Sequence, residues 1–460
     1  MATAGSELAG KSVLVVGLGA SGIAAARLLA AQGAQVVAND ARDAGALGAR
    51  LNALPSGVER ALGGHDPARF AAADLIVLSP GVPPLPALDA ADAAGVPVWS
   101  EVELASRFLE GDLLAVTGTN GKSTVTSLLG AIFDAAADRR PAFVGGNLGT
   151  PVTEAVGTPA AGPAGRVALE VSSFQLERVR DFRPDVAVLT NLAEDHLDRY
   201  ASMAAYAAAK GRIFAAQRRQ DHAVVRDGDA LSESLARAGA AQLHRYGGAR
   251  GEVRVEGEAI VGSGLEVPLA SLRLVGAHNH ENAACAALAA QLMGLDHRAI
   301  AAGLSAFPGL PHRMAFVAAH AGVRYYDDSK ATNVGAAVAG LRGFASDRSF
   351  RGQVVLLAGG KDKGGSYASL REAMGGVRAV VTLGEAAARI DAALEGAVPL
   401  TRASGEDAFA DAVLRARELA QPGDAVLLAP ACSSFDMFPS YVARGLRFQA
   451  LVHAFTGGDA

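Results

Sequence analysis

Short apolar runs alternate with segments of helical spacing along most of the chain. Near the N-terminus, Ser12–Val16 is an apolar run followed by glycine, which is typical of a buried parallel strand. An Ala- and Leu-rich segment at 21–32 has the spacing of a helix, and further apolar runs follow at Gln35–Ala38 and Leu75–Leu78. Strand–helix–strand alternation of this kind predicts a parallel sheet with right-handed crossovers.

The same alternation begins again near residue 112. Strands are predicted at 113–116, 167–171 and 186–190, and an Ala-rich helix is predicted at about 279–293. Between them, residues 252–275 form short β-like pieces divided by glycine, which favours a small antiparallel insert.

A third block follows the linker-like segment at 307–311, which contains two prolines and a glycine. Strand-like runs recur at 353–358, 379–383 and 425–429, each followed by a turn and a helical stretch. We therefore expect an α/β protein with three domains, at 1–110, 111–309 and 310–460.

Composition narrows the function classes. Half of the 460 residues are hydrophobic and 19% are charged, so the chain can bury substantial cores. A net charge of −5 argues against a nucleic-acid partner. The two cysteines, Cys285 and Cys432, cannot form a disulfide framework, and no stretch has the character of a signal peptide or a membrane span. We expect a cytoplasmic protein without membrane insertion.

Gly17-Leu-Gly-Ala-Ser-Gly22 follows the first predicted strand and opens a helix, and Asp40 stands at the end of the next strand. This context matches the dinucleotide fingerprint, in which glycines let a diphosphate approach the N-terminus of a helix. The pattern specifies a diphosphate and no particular base, so a nicotinamide dinucleotide and a nucleotide sugar both fit. A turn that only packs the helix on the strand is the structural alternative.

Thr117-Gly-Thr-Asn-Gly-Lys-Ser-Thr124 is a second phosphate-type loop, again between a predicted strand and a helix. Its backbone N–H groups can surround phosphate oxygens, while Lys122 reaches the terminal phosphates and Ser123 offers a hydroxyl to Mg²⁺. Val116 stands where the common pattern has its first glycine, so this is a shorter variant of the loop.

The two loops together favour an enzyme that holds a nucleotide-linked substrate in one domain and ATP in the next. A nicotinamide-dependent oxidoreductase has no use for a second phosphate cradle, and it would bind its dinucleotide without ATP. A non-catalytic nucleotide-sugar sensor would bind ligand but release no phosphate.

Six segments in order carry a resemblance to a known family. They are VTGTNGKST at 116–124, EVSSFQLE at 170–177, TNLAEDHLDRY at 190–200, GAHNHENAACA at 276–286, LPHRM at 310–314 and DDSKATN at 327–333. Together they resemble the Mur ligases of peptidoglycan synthesis, and the similarity runs from about residue 10 to residue 450. The resemblance implies a Rossmann-like N-terminal domain for a UDP-linked substrate, a central P-loop ATPase domain and a Rossmann-like C-terminal domain. Folylpolyglutamate synthases share the last two but lack this N-terminal block.

The implied reaction is ATP-dependent amide formation through an acyl phosphate, with release of ADP and phosphate. The expected reactants are UDP-N-acetylmuramoyl-L-alanine, D-glutamate and ATP, and a sister Mur ligase that adds another amino acid, such as L-glutamate, is the alternative. The resemblance also implies two Mg²⁺ ions, for which Mn²⁺ could substitute, and we expect a monomer.

Site residues follow from the resemblance position by position. The catalytic set is Lys122, Glu170, His196 and Lys210, and the Mg²⁺ set is Ser123, Glu170, His196 and Lys210. The predicted ATP contacts are Gly118, Thr119, Asn120, Gly121, Lys122, Ser123, Thr124, Asn279, Asn282, Arg313 and Asp328.

The substrate-binding residues are inferred in the same way. The UDP-substrate contacts would be Ala20, Ser21, Asp40, Arg42, Ser79, Asn147 and His196, while Ala41 lacks the hydroxyl often found between Asp40 and Arg42. The D-glutamate contacts would be Thr332, Lys363, Ser434, Phe435 and Tyr441, with Lys361 as an alternative to Lys363.

Lys210 admits two interpretations. From its sequence context alone it is a helix lysine whose ammonium reaches solvent along an apolar stem. The resemblance implies instead a carbamylated lysine, which would carry a negative charge beside Mg²⁺.

Overall fold

The computed structural model describes residues 7–193, 199–347, 349–362 and 366–457, which form two compact units. The first unit comprises the chain up to Arg254 together with Val261–Leu265 and Asn282–Leu304. The second comprises Val255–Ile260, Glu266–Glu281 and the chain from Ser305 onward. Within the described ranges, no helix combines the length and apolar character needed to cross a bilayer.

The described residues include twenty strands. In chain order they are β1 Ser12–Val16, β2 Gln35–Asp40, β3 Glu59–Leu62, β4 Leu75–Leu78, β5 Val98–Ser100, β6 Asp112–Thr117, β7 Ala142–Gly146, β8 Arg166–Glu170, β9 Val186–Leu189, β10 His222–Arg226, β11 Gln242–Tyr246, β12 Arg254–Glu256, β13 Ala259–Gly262, β14 Leu265–Pro268, β15 Ala315–His320, β16 Val323–Asp327, β17 Val354–Gly359, β18 Val377–Leu383, β19 Leu400–Arg402 and β20 Ala425–Leu428.

Sixteen α-helices lie among the described residues. They are α1 Ala20–Ala31, α2 Ala44–Leu47, α3 Pro67–Ala72, α4 Pro86–Ala93, α5 Glu101–Ser106, α6 Lys122–Ala135, α7 Ser173–Leu176, α8 Met203–Gly211, α9 Ala230–Arg237, α10 Ala277–Leu292, α11 His297–Ala306, α12 Val334–Ser346, α13 Ala368–Glu372, α14 Ala387–Leu394, α15 Ala408–Leu419 and α16 Tyr441–Thr456.

Two parallel sheets lie in the first unit. The order of the N-terminal sheet is β3-β2-β1-β4-β5, so the chain reverses direction across the sheet between β1 and β4. The order of the following sheet is β11-β10-β9-β6-β8-β7, which places β6 between β9 and β8. Open parallel sheets bind ligands at the carboxyl ends of strands near such reversals.

The large sheet of the second unit has the order β15-β16-β20-β17-β18-β19, with β15 antiparallel to β16 and the other pairs parallel. The three strands β12-β13-β14 form a small separate sheet. Its two connections have only two residues each, which suffices for antiparallel pairing and not for a parallel crossover. This sheet falls inside the insert predicted at 252–275.

The inner strands are buried on both faces, which explains their continuous apolar runs. All four residues of β4, β9 and β20 are buried, as are all six of β17. The α/β class and the parallel sheets predicted from the sequence are confirmed, with strand bounds that differ by one or two residues.

A buried polar contact joins the two sheets of the first unit. The carboxylate of Glu103, which is fully buried, accepts hydrogen bonds from the backbone N–H groups of Arg180, Asp181 and Phe182. Two positions earlier on α5, Glu101 Oε1 accepts from both the N–H and the hydroxyl of Thr153, at 2.8 and 2.9 Å. These carboxylates tie α5 to loops of the second sheet.

Burial raises the pKa of Glu101 to about 7, although its hydrogen bonds with Thr153 act in the opposite direction. Among the described residues, Glu101 Oε2 has no hydrogen-bond partner. A carboxyl with a raised pKa favours the folded state while it is protonated. The folded protein therefore loses stability as the pH rises from 4.5, the pKa of this carboxyl in the unfolded chain, through about 7, its pKa in the folded protein.

We predict that Glu101→Gln stabilises the protein at pH 8 by on the order of 2–3 kcal/mol and changes little at pH 5, because glutamine keeps an acceptor for Thr153 and carries no charge. Thermal melts at the two pH values measure the difference. Glu110→Gln, which neutralises an exposed carboxylate, is the matched control. An equal shift in melting temperature at both pH values would contradict the role assigned to ionisation.

Candidate active site

A cleft of about 500 Å³ opens at the carboxyl ends of β1, β2 and β4. Its walls are the glycine loop at 17–21, the end of β2 at 40–42, Arg50, His65 and the turn at 79–83. The cleft therefore brings together five of the predicted UDP-substrate residues, namely Ala20, Ser21, Asp40, Arg42 and Ser79.

The glycine loop lets α1 begin directly against β1. A Cβ atom at Gly22 would lie 1.8 Å from the carbonyl oxygen of Gly17, so only glycine permits this approach. Ser79 Oγ donates a hydrogen bond to the same carbonyl at 2.8 Å. Ala20 and Ser21 form the first turn of the twelve-residue helix α1, whose N-terminus is open to a diphosphate.

Asp40 is saturated by donors from the chain itself. One carboxylate oxygen accepts from Leu18 N–H and from Arg42 Nη2, each at 2.8 Å, and the other accepts from the N–H and Nε of Arg42. The Arg42 guanidinium lowers the pKa of Asp40 well below its ordinary value. Asp40 thus fixes the glycine loop and Arg42 together, whereas the dinucleotide fingerprint uses this acid on a ribose.

The phosphate-type loop at 117–124 is held by residues that follow the neighbouring strand β9. Thr119 N–H donates to Asn191 O at 2.9 Å, Asn120 N–H donates to Asn191 Oδ1 at 3.0 Å, and Thr190 Oγ1 donates to Asn120 O at 2.6 Å. Because the N–H groups of Thr119 and Asn120 and the carbonyl of Asn120 are already engaged, the shape of the loop is set before a ligand arrives.

Helix α6 starts at Lys122 in this loop, and Thr124 lies in its first turn. Lys122 Nζ donates to the carbonyls of Gly118 and Thr119, at 2.8 and 2.9 Å. Gly121 has φ +85°, and a Cβ there would lie 2.4 Å from Asn282 Oδ1. The structure therefore brings Asn282 against the loop.

Glu170 ends β8, next to β6, and its side chain links two motifs. Ser123 Oγ donates to Glu170 Oε2 at 2.6 Å, and Asn147 Nδ2 donates to Glu170 Oε1 at 2.7 Å. Glu170 is buried, with 3% of its surface exposed. A predicted phosphate-loop residue, a predicted metal ligand and a predicted substrate contact thus share one hydrogen-bonded cluster.

This cluster fits Mg²⁺ by the chemistry of its donors. Carboxylate and hydroxyl oxygens are the hard ligands that Mg²⁺ takes in phosphate sites, with phosphate oxygens and water completing the shell. Within the described ranges, no three carboxylate, imidazole or thiolate groups gather into a metal site. A cation here would accordingly rest on Glu170 and Ser123 with ligand oxygens. His196, the further predicted ligand, lies outside the described residues.

Lys210 is buried on α8, with only 2% of its surface exposed, so the solvent-exposed alternative is wrong. Its Nζ lies 4.8 Å from the ring centre of Tyr206. The Tyr206 hydroxyl is 3.2 Å from Thr119 Oγ1 in the phosphate loop. Lys210 is therefore connected to the phosphate loop through Tyr206.

The remaining predicted ATP residues belong to the second unit. Asn279, on α10, donates from Nδ2 to Val275 O at 2.8 Å. Arg313 is exposed, whereas Asp328 is buried after β16 and accepts from Met314 N–H at 3.3 Å. Burial raises the pKa of Asp328 to about 7.

Of the predicted D-glutamate residues, those that the structure describes follow the carboxyl ends of β16 and β20, which are neighbours in the sheet. Thr332 comes after β16, Ser434 is buried after β20, and Phe435 beside it is 70% exposed. Ser329 Oγ donates to the carbonyl of Tyr441, the first residue of α16, at 2.8 Å. Strand ends of a parallel sheet thus assemble these segments.

The two candidate lysines have different surroundings. Lys361 Nζ lies 3.1 Å from Glu385 Oε2, in a half-exposed ion pair. Lys363 lies outside the described residues.

Several residues at these sites had not been identified from the sequence. Arg50 and His65 line the N-terminal cleft. Arg199 donates to Val82 O at 3.1 Å and to Glu177 Oε2 at 2.8 Å, and its guanidinium stacks on Phe174 at 4.2 Å. Arg199 lies in the TNLAEDHLDRY segment and Glu177 in EVSSFQLE, but only folding shows that the two segments pair beside the cleft.

Three family models cover most of the chain. They are described as the Mur ligase MurD-like N-terminal domain, matched at residues 11–100, the Mur ligase middle domain at 116–290 and the Mur ligase glutamate ligase domain at 312–432. The chain belongs to the Mur ligase family. The three-domain architecture expected from the resemblance is thereby confirmed.

Curated relatives extend this similarity over nearly the whole length of this Mur ligase. A UDP-N-acetylmuramoylalanine–D-glutamate ligase from Anaeromyxobacter dehalogenans is 47% identical and spans 97% of this chain and 98% of its own. Its counterpart from Myxococcus xanthus is 46% identical over 97% of this chain and 99% of its own. A MurF ligase from Thermotoga maritima, solved with ADP, has the same fold, with a TM-score of 0.54, 16% identity and coverage of 98% and 97%.

We predict that Gly121→Ala weakens ADP binding at least tenfold, because the added methyl group must displace Asn282 and strain a backbone with positive φ. Isothermal calorimetry with Mg²⁺–ADP measures the affinity. Gly157→Ala is the matched control, since Gly157 has φ +84° and a Cβ added there would meet nothing within 4 Å. Similar losses of ADP affinity in both variants would show that a general loss of stability, and not a local change in the loop, is responsible.

Proposed function

We propose that this Mur ligase joins D-glutamate to UDP-N-acetylmuramoyl-L-alanine, with cleavage of ATP to ADP and phosphate, in peptidoglycan synthesis. The Glu170 carboxylate carries the proposal, because it bonds at once to Ser123 of the phosphate loop and to Asn147 of the predicted substrate path. Both relatives above are named as this ligase and match over nearly their full lengths. We further propose that the enzyme acts as a cytoplasmic monomer.

Amide formation requires activation, since a carboxylate is a poor electrophile at neutral pH. The substrate carboxylate attacks the γ-phosphorus of ATP, giving an acyl phosphate and ADP. The amine of D-glutamate then attacks the acyl carbon, phosphate leaves, and the amine loses a proton. The protein mainly positions the reactants and neutralises phosphate charge.

Lys122 would release the carbonyls of Gly118 and Thr119 and turn to phosphate oxygens. Ser123, Glu170, His196 and a carbamylated Lys210 would hold two Mg²⁺ ions, for which Mn²⁺ could substitute. These ions supply Lewis-acid neutralisation of the phosphate oxygens. Asn279, Asn282 and Asp328 would bind the nucleoside, and Arg313 its phosphates.

D-Glutamate would lie at the carboxyl ends of β16 and β20. Thr332 and Lys363 would bind one carboxylate, with Ser434, Phe435 and Tyr441 around the other. The exposed ring of Phe435 can pack on the aliphatic part of the ligand. The existing ion pair between Lys361 and Glu385 favours Lys363 as the cation. A lysine placed to bind the side-chain carboxylate of the substrate disfavours amino acids with neutral side chains, because such substrates would leave the lysine unpaired.

Phosphate release with ATP, Mg²⁺ and UDP-N-acetylmuramoyl-L-alanine across a panel of amino acids tests the function. We expect D-glutamate to exceed L-glutamate about 10²-fold or more in kcat/KM, with other amino acids lower still. Preference for another amino acid would identify a sister ligase. Absence of amino-acid-dependent phosphate release would refute the proposal.

In the same assay, Lys363→Ala should raise the KM for D-glutamate, while Lys361→Ala should leave this KM near the wild-type value. The reverse result would move the role to Lys361.

A separate prediction concerns Lys210. Its neutral amine would attack CO₂ and lose a proton, leaving a carbamate anion that the metal site stabilises. Arginine cannot form this group, so Lys210→Arg should lower kcat at least 10²-fold with little change in UDP affinity. Carbon-13 NMR of the protein in labelled bicarbonate should show a carbamate that Lys210→Arg lacks and the exposed Lys11→Arg control retains. A fully active wild-type enzyme without that resonance would disprove the carbamate.

A further inference from the structure

His65 lies in the N-terminal cleft, in the loop after β3, where the mechanism above gives it no role. Its ring packs edge-on against Phe70, with centroids 6.0 Å apart and planes at 85°. Its Nδ1 lies 2.6 Å from Asn39 Oδ1. The imidazole is therefore fixed on one side and presents its other nitrogen, Nε2, away from Asn39.

The buried Asn39 determines which nitrogen carries the proton. Asn39 Nδ2 donates to the carbonyl oxygens of Ala61 and Gly64, at 2.7 and 2.9 Å. Both amide hydrogens are thus used, and Oδ1 can only accept, so His65 Nδ1 must be the donor. Neutral His65 consequently keeps an acceptor lone pair on Nε2, for which the described residues provide no partner.

Other polar side chains at this end of the cleft do not offer such an acceptor. All four hydrogen bonds described for the Asp40 carboxylate come from Leu18 and Arg42. Arg42 and Arg50 are donors only, and Ala41 contributes a methyl group. His65 is the side chain at this end of the cleft that can accept a hydrogen bond from a ligand.

The order of the strands places this acceptor where the nucleotide base is expected to bind. The diphosphate is expected at the glycine loop between β1 and β4, and successive parts of a nucleotide lie outward over β2 and β3. We propose that His65 Nε2 accepts a hydrogen bond from N3–H of uracil, so that His65 selects uridine over cytidine nucleotides, whose N3 is itself an acceptor. This inference rests on the proposed UDP-linked substrate.

The test uses UDP, CDP and N3-methyl-UDP as probes with the full-length protein, by isothermal calorimetry. Wild-type protein should bind UDP about tenfold more tightly than either analogue. His65→Ala should lose about tenfold in UDP affinity with little change for CDP, so that the preference for UDP nearly vanishes. Glu59→Ala, an exposed change on β3 outside the cleft, is the matched control and should retain the wild-type preference.

Equal losses for UDP and CDP in His65→Ala, or no loss for either, would overturn the inference. Binding of N3-methyl-UDP to wild-type protein as tightly as UDP would also overturn it, and this measurement needs no variant. Failure of the wild-type protein to bind any uridine diphosphate would instead count against the proposed function. Uridine selectivity that survives in His65→Ala would leave the proposed function intact and remove only the role of His65.

Discussion

The carboxylate of Glu170 connects the phosphate loop to the predicted substrate path. Its two oxygens are bound separately, one by Ser123 Oγ and the other by Asn147 Nδ2. Because Glu170 ends β8 and β8 pairs with β6, its position is set by the register of the sheet that also carries the loop. A shift of this strand pairing would move the predicted metal ligand, the loop and the predicted substrate contact together. The site therefore depends on the packing of a fully buried strand as much as on its own polar groups.

Much of this arrangement could be predicted because it is encoded locally. Buried parallel strands require continuous apolar runs, and the glycine loops follow directly after β1 and β6, so strand, loop and helix were recognisable at both positions. The small sheet formed by β12, β13 and β14 could also be predicted, because its short strand-like segments are separated by glycines. The assignment of Asn282 to the nucleotide site followed from the family resemblance, which carried information that spacing alone lacks, whereas Ser123 was recognisable from the loop motif itself.

Other features depend on packing between distant segments. The sequence pattern indicates that Asp40 meets a ligand, but it does not show that Leu18 and Arg42 already occupy the carboxylate. Lys210 has the sequence context of a solvent-facing lysine, yet α8 buries it beside Tyr206. His65 could not be singled out because its significance arises from Asn39, whose own amide is oriented by two backbone carbonyls. The occupied hydrogen-bond sites of Asp40, the burial of Lys210 and the tautomer of His65 are all set by the residues that surround them in the folded protein. A pattern read along the chain does not contain that information.

The buried carboxylate of Glu103 has a consequence for cooperativity. Three backbone N–H groups at 180–182 depend on it, and they would lose this charged acceptor if the N-terminal sheet unfolded alone. The two sheets of the first unit should therefore melt as a single thermodynamic unit. A ligand that occupies only the N-terminal cleft then raises the melting temperature of the phosphate loop as well, in proportion to the logarithm of its concentration above its dissociation constant. Substrate held at one sheet would in this way protect the nucleotide-binding segment from local unfolding before any nucleotide arrives.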